Sequence, residues 1–338
     1  MKLTNRQMIN LLVSILLIVS LVGCANNEIV TGKVVKNLND KISVRLPIPV
    51  IEAAFTPFYS AIDQGYYSQE GIDIEFNLGS PENNPVKMVA SGVDDFGILG
   101  GPDTLLVARS NGQLLVAIGV IHKDSNFPVI LTLKSSGLTK LEDLQGKKVG
   151  FFYGHISTDV LRNVLRKNNI NVEEVDVGFN YNPLIAGQID AEWAFRTTAG
   201  INLPKKGIGI NVITPKDYGI NTHGYTIFTT EDMIKNNPEL VKKFLKATLK
   251  GVEYTVNNPD TALEYVLKRE VILNKEIERE RLEEYNKVTS ATKQYPPGYM
   301  DKKMFQETYD RLKEEKVLAN DFDVSNAFTT KFLDEIYS

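Results

Sequence analysis

The chain holds 338 residues, 43% of them hydrophobic and 24% charged, with a net charge of −4. That suits two ordinary globular domains or one large one, and the mild acidity without any Lys/Arg run excludes a nucleic-acid-binding face. The single cysteine, Cys24, rules out an intrachain disulfide and a cysteine-built metal site, and His122, His155 and His223 lack zinc-motif spacing, so neither metal nor cofactor is expected.

The N-terminus reads as a leader. Lys2 and Arg6 precede an apolar run from Met8 to Val22, broken only by Asn10, Ser14 and Ser20, which ends in Leu21-Val22-Gly23-Cys24. This is the layout of an export signal over residues 1–23, and its ending resembles a lipobox, with Cys24 as the acylated first residue of the mature protein. The run is shorter than the roughly 20 residues that span a bilayer. Residues 24–40 are polar and lack core periodicity, as in a lipid-anchored tether.

From residue 41 strand and helix patterns alternate. Ile42 to Leu46 alternates as a strand; Thr56-Pro57 opens a helix that stops at Gly65; Ile72 to Phe76 alternates again. A helix over Val86–Ser91, a strand over Asp95–Leu99, a helix over Pro102–Arg109 and a buried strand over Leu114–Ile121 complete a first unit. The second unit has strands at Val129–Leu133, Lys148–Phe152, Val175–Phe179, Ala191–Phe195 and Gly209–Val212, with helices at Leu141–Leu144, Thr158–Asn168 and after Asn182-Pro183. Tyr225 to Phe228 would cross back. The last third is helical, with Val241, Phe244, Leu245, Thr248 and Val252 forming one packing stripe, cap-plus-proline starts at Asn237-Pro238 and Asn258-Pro259, and further helices over Glu276–Tyr285 and Lys302–Glu315. This rhythm predicts an α/β layer fold with mainly parallel sheets.

Ser60–Phe76, Asp95–Leu106, Leu138–Gly150, Pro183–Ala191, Asp217-Tyr218-Gly219 and Phe228–Leu245 together resemble the family of ABC-importer solute-binding proteins for nitrate, sulfonates, taurine, riboflavin and thiamine pyrimidine precursors. The order and spacing of these pieces, over nearly the whole mature chain, carry the likeness. It implies an α/β, two-lobed periplasmic-binding-protein-like fold of type II, with the ligand in a cleft between lobes joined by two crossover strands. Residues 41–132 and 224–338 would form lobe 1, and 133–223 lobe 2. The implied partners are a small, heteroaromatic ligand, permease and ATPase subunits, and a membrane reached through the lipid. A monomer outside the cytoplasm is expected, without enzymatic activity.

Ligands in such sheets lie beyond the carboxyl ends of the strands, and the candidates follow those ends. Phe55 and Phe58 flank the first helix start, where rings would cover a ligand face; both read equally well as core. Gly101 allows close backbone approach and Asp103 would accept from a ligand amine, unless it only caps its helix. Tyr153 and His155 follow a second-lobe strand; Trp193 and Phe195 share one face of another and suit ring stacking, or plain packing. Asp217 and Tyr218 are implied by the resemblance alone. Two stretches depart from the pyrimidine-binding relatives: Leu46-Pro47-Ile48-Pro49 where a tryptophan and asparagine are common, and Ala199-Gly200-Ile201-Asn202 where an Asn-Glu-Pro piece is. An anion such as nitrate or a sulfonate is the alternative ligand, with Arg196 as its only obvious partner. A synthase of the same fold is the alternative of another class, opposed by the leader and the lone cysteine.

Overall fold

The computed structural model describes residues 41–125, 127–153 and 157–338. Cys24, the leader and the tether lie outside the described residues, and so does His155. No helix among the described residues is long and apolar enough to cross a membrane.

Two five-stranded mixed sheets form the centres of two lobes. The first has the order β2-β1-β3-β10-β4, from Ile74–Asn77, Ile42–Arg45, Phe96–Leu99, Thr226–Thr230 and Leu115–Val120. The second repeats the pattern as β7-β6-β8-β5-β9, from Glu173–Asp176, Lys148–Phe151, Ala191–Phe195, Pro128–Leu133 and Ile210–Ile213. In each sheet one strand runs against the rest: β10 is antiparallel to β3 and β4, and β5 to β8 and β9. Each is the strand by which the chain enters its lobe from the other one. A boundary after residue 132 would cut through β5, whose Pro128–Leu133 pairs only within the second sheet.

The local causes are visible in the sequence. In β8, Ala191 and Trp193 face the core beneath helix α5 (Ser157–Lys167), while Ala194 faces the opposite core with Leu184, Ala199 and Leu203. That is the period of two expected of a strand covered on both faces. Proline sits in the first turn of α1 (Thr56–Asp63), α4 (Pro102–Ser110) and α9 (Pro238–Asn257), where a missing N–H is harmless. Gly65, at φ 70°, supplies the left-handed turn that ends α1.

All five residues of the predicted stripe on α9 are buried. This helix lies across α1, and Gly251 permits the contact: a Cβ there would stand 2.2 Å from the Pro57 carbonyl oxygen. One strand is displaced from its expected place. Instead of Val175–Phe179 the chain pairs over Glu173–Asp176, because β7 is an edge strand whose register is fixed by Lys148↔Glu173 pairing with β6.

Candidate functional site

The two crossovers run side by side. Ile121 N–H donates to the Tyr225 carbonyl (2.7 Å), Gly224 N–H to that of His122 (2.9 Å) and Ser125 N–H to that of Thr222 (2.5 Å). The segment after α11 (Lys275–Val288) joins from lobe 1, with Ser290 N–H donating to the Ile121 carbonyl at 3.2 Å. His223 braces this ribbon. The Asp301 N–H donates to its Nε2 (3.0 Å), so Nδ1 carries the proton and donates to the Lys123 carbonyl (2.7 Å). Burial lowers its pKa, with the carbonyls of Lys123 and of Asp301, the latter 3.4 Å from Nε2, opposing.

Aromatic rings fill the space beside the ribbon. His122 stacks on Tyr285 (centroids 5.3 Å apart) and meets Phe127 edge-on at 5.1 Å; Phe55 stacks on Tyr225 at 6.0 Å. Burial alone drives the His122 pKa down to about 3, so its imidazole is neutral at physiological pH.

Next to these rings, α11 reaches from lobe 1 to lobe 2. Arg281 donates from Nε to the Thr197 carbonyl (3.1 Å) and from Nη1 to Glu52 (3.2 Å) and Glu278 (2.7 Å). The Tyr285 hydroxyl donates to Glu52 Oε1 at 3.1 Å and lies 3.4 Å from Thr197 Oγ1. Glu52 follows β1 at its carboxyl end, and burial raises its pKa, with Arg281 opposing and Glu278 reinforcing the rise. Phe195 of β8 packs against the cores of both lobes. The floor between the lobes is therefore aromatic and acidic, with one guanidinium holding it together.

The predicted residues fall into three groups. Phe55 and Phe195 lie at the junction. Gly101 also adjoins it: a Cβ there would stand 3.0 Å from the His223 carbonyl. Asp103 is buried in an ion pair with Arg311, which takes the carboxylate oxygen offered to a ligand amine. Phe58 is a lobe 1 core residue against Phe76, and Trp193 is 0% exposed beneath Phe152, Phe179 and Phe195, its Nε1–H donating to Ser157 Oγ at 3.1 Å. The burial of both rings matches the packing reading.

The remaining candidates stand apart. Tyr153 is exposed, with the Arg162 guanidinium over its ring at 5.1 Å. Tyr218 accepts from the Leu141 N–H (2.8 Å) inside lobe 2, and Asp217 is exposed on the same turn. Arg196, the candidate for an anion, donates to Thr214 Oγ1 at 2.5 Å. Sequence reasoning missed Glu52, Arg281, Tyr285, Thr197, His122 and Tyr225. One signal was there: Glu52 is the lone charge in the otherwise apolar Pro47-to-Ala54 stretch.

Two mixed α/β sheets joined by paired crossovers define the two-lobed fold of periplasmic binding proteins. Solved structures agree: a sulfonate-binding protein SsuA from Methylobacillus flagellatus (TM-score 0.69, 16% identity, 89% of this chain and 94% of that one) and SsuA from Escherichia coli (TM-score 0.67, 16% identity, 85% and 91%) share the fold. The sequence profile of the NMT1/THI5-like family matches residues 52–262, and the chain belongs to that family. It is 28% identical to the riboflavin-binding protein RibY of Chloroflexus aurantiacus, over 85% of this chain and 84% of that protein. It is 26% identical to a formylaminopyrimidine-binding protein of Halalkalibacterium halodurans (68% and 72%), and 24% identical to a 4-amino-5-hydroxymethyl-2-methylpyrimidine phosphate synthase of Legionella pneumophila (82% and 88%).

Proposed function

We propose that this protein is the extracytoplasmic solute-binding lipoprotein of an ABC importer, and that it captures a small flat heterocycle between its lobes before delivering it to the permease. The observation that carries this reading is the floor of the lobe junction. There the buried rings of Phe55, His122, Tyr225 and Tyr285 pack with the half-buried Phe195 beside Glu52 and Glu278, an aromatic floor that parting of the lobes would bare. Rings bind rings well, and buried carboxylates favour a ligand with N–H donors over an anion. The two binding-protein relatives, which cover most of the chain, support the same reading. Membrane tethering rests on the sequence around Cys24. Cysteine-rich synthase chemistry finds no support in a chain whose single cysteine, Cys24, is the expected lipid-attachment residue.

The test is mass spectrometry of small molecules released from the purified protein, followed by calorimetry with riboflavin, formylaminopyrimidine and an alkanesulfonate. Binding of a flat heterocycle with no response to the sulfonate is the expected result. Tight binding of the sulfonate alone overturns the proposal.

A further inference from the structure

On another part of the lobe junction two helices from opposite lobes face each other: α5 of lobe 2 and α12 (Lys302–Glu314) of lobe 1. Asn163 on α5 is 0% exposed, and its Nδ2 donates to Glu315 Oε1 at 3.0 Å. That bond fixes the amide orientation and leaves Oδ1 as a buried acceptor without a partner among the described residues. Arg311, one helical turn before Glu315, is 4% exposed. Its Nη2 donates to Asp103, and its Nη1 is a buried donor without a partner among the described residues.

A buried polar atom left unsatisfied costs roughly 1–3 kcal/mol, and more when it is charged. Two of them, one donor and one acceptor, on helices linked through Glu315, can both be satisfied by an occupant with the opposite pair. The charges around them narrow its class. Asp103 and Glu315 touch these groups directly, and Asp159, one turn before Asn163, lies within electrostatic reach of both Arg311 and Glu315. Arg166 from lobe 2 pairs with Glu314 (3.2 Å) and Glu315 (2.8 Å). Three carboxylates beside one buried guanidinium repel an anion. A neutral group that offers a carbonyl to Arg311 and an N–H to Asn163 fits: the lactam, ureide or carboxamide edge of a planar ring.

We propose that Arg311 Nη1 and Asn163 Oδ1 form a hydrogen-bonding subsite, assembled only when the lobes close, that reads an adjacent C=O/N–H edge on the ligand. This inference rests on the heterocycle reading above. It makes Arg311 and Asn163 specificity-determining residues contributed by different lobes, so an edge that satisfies both also favours closure.

The experiment uses calorimetry on the whole mature protein with riboflavin and with riboflavin methylated on its ring lactam nitrogen. Formylaminopyrimidine serves as a second flat probe. Wild type should bind the methylated flavin about ten- to a hundredfold more weakly, as expected for one buried acceptor left unpaired. Asn163→Ser should bind riboflavin more weakly and lose that discrimination, with circular dichroism confirming its fold. If Asn163→Ser does not fold, Arg311→Lys, which keeps the charge beside Asp103, should show the loss of riboflavin affinity instead. Equal affinity of wild type for the two flavins overturns the subsite and leaves the heterocycle reading standing. A crystal structure of the flavin complex with only an ordered water on Arg311 Nη1 and Asn163 Oδ1 does the same. If neither riboflavin nor formylaminopyrimidine binds, the heterocycle reading falls and takes the subsite with it.

Discussion

Replacing Glu192 by Gln should stabilise the protein in mild alkali and do little in acid. Glu192 lies mid-strand in β8, 0% exposed, opposite Gly150 and Leu131 on its two neighbours. Both carboxyl oxygens lack a partner of normal geometry among the described residues, although the Leu184 N–H is near enough to favour the anion slightly. Burial pushes its pKa from the ordinary 4.5 up to about 8. The same environment, with Glu192 close by, pushes Tyr181 up to about 12. An acid whose folded pKa is raised holds more protons in the folded state than in the unfolded one. Stability is therefore full below pH 4.5 and falls as pH rises toward 8. At about 1.4 kcal/mol per pKa unit the loss is roughly 5 kcal/mol as an upper bound, because local relaxation and water entry would reduce it. Glutamine keeps the shape and stays neutral. The assay is urea unfolding of both proteins at pH 5 and pH 8.5, taking the difference between them so that other titrating groups cancel. Glu192→Gln should gain roughly 2–4 kcal/mol at the higher pH and change by less than about 1 kcal/mol at the lower. A difference that does not vary with pH refutes the reasoning.

Gly251→Ala forces a methyl group onto the Pro57 carbonyl, so α9 must move off α1; the expected loss is about 1–3 kcal/mol, seen as a lower Tm, and an unchanged Tm contradicts the packing. Arg166→Ala cuts half-exposed ion pairs between α5 and the end of α12, which contribute little, so the ligand-free protein should keep its radius of gyration by small-angle scattering; a larger radius means that these pairs hold the lobes together. Trp193, the only tryptophan, should emit at short wavelength and resist iodide quenching, and Trp193→Ala should cost about 3–5 kcal/mol; ready quenching would place the ring in open solvent. Cys24→Ser should release the protein from membranes or leave an uncleaved precursor, and normal processing with normal retention counts against the lipid anchor.

What was legible in the sequence was written in short-range chemistry. The alternation of Ala191 to Phe195 marked β8 to the residue, and Thr56-Pro57, Asn237-Pro238 and Asn258-Pro259 marked three helix starts to within a residue. Short helices escaped, among them Tyr66–Gln69, Glu231–Asn236 and Ala199–Lys205 with Pro204 inside it. Segments so short owe their stability to tertiary contacts, and no local pattern announces them. The edge strand slipped because pairing with β6 fixes its register. The site was harder. Residue type makes Trp193 a stacking candidate, yet a strand between two helical layers buries whatever it carries. Arg281 and Tyr285 are two polar residues among many on an amphipathic helix. Only the approach of Thr197 and Glu52 from elsewhere in the chain sets them apart.

That approach gives the C-terminal third a role beyond covering the first sheet. Arg281 and Tyr285 on α11 meet Thr197, and Lys205 of lobe 2 meets Glu276 and Glu280 on the same helix. Glu315, just past α12, bonds to Asn163 on α5, and Arg311 on α12 lies within electrostatic reach of Asp159 on the same helix as Asn163. The chain enters these helices only after the second crossover, so the segment added last supplies the lobe 1 side of all these contacts. The ribbon itself is different in kind: His122 is neutral, His223 is tied at both nitrogens, and the rings around them are uncharged. Strength between exposed partners such as Lys205 and Glu276 is small and falls with salt, whereas buried groups such as Arg311 and Asn163 depend on being fully satisfied. Closure should therefore respond weakly to ionic strength and strongly to whether an occupant completes the buried pairs. In this arrangement a pivot of uncharged rings leaves the choice between open and closed to the ligand.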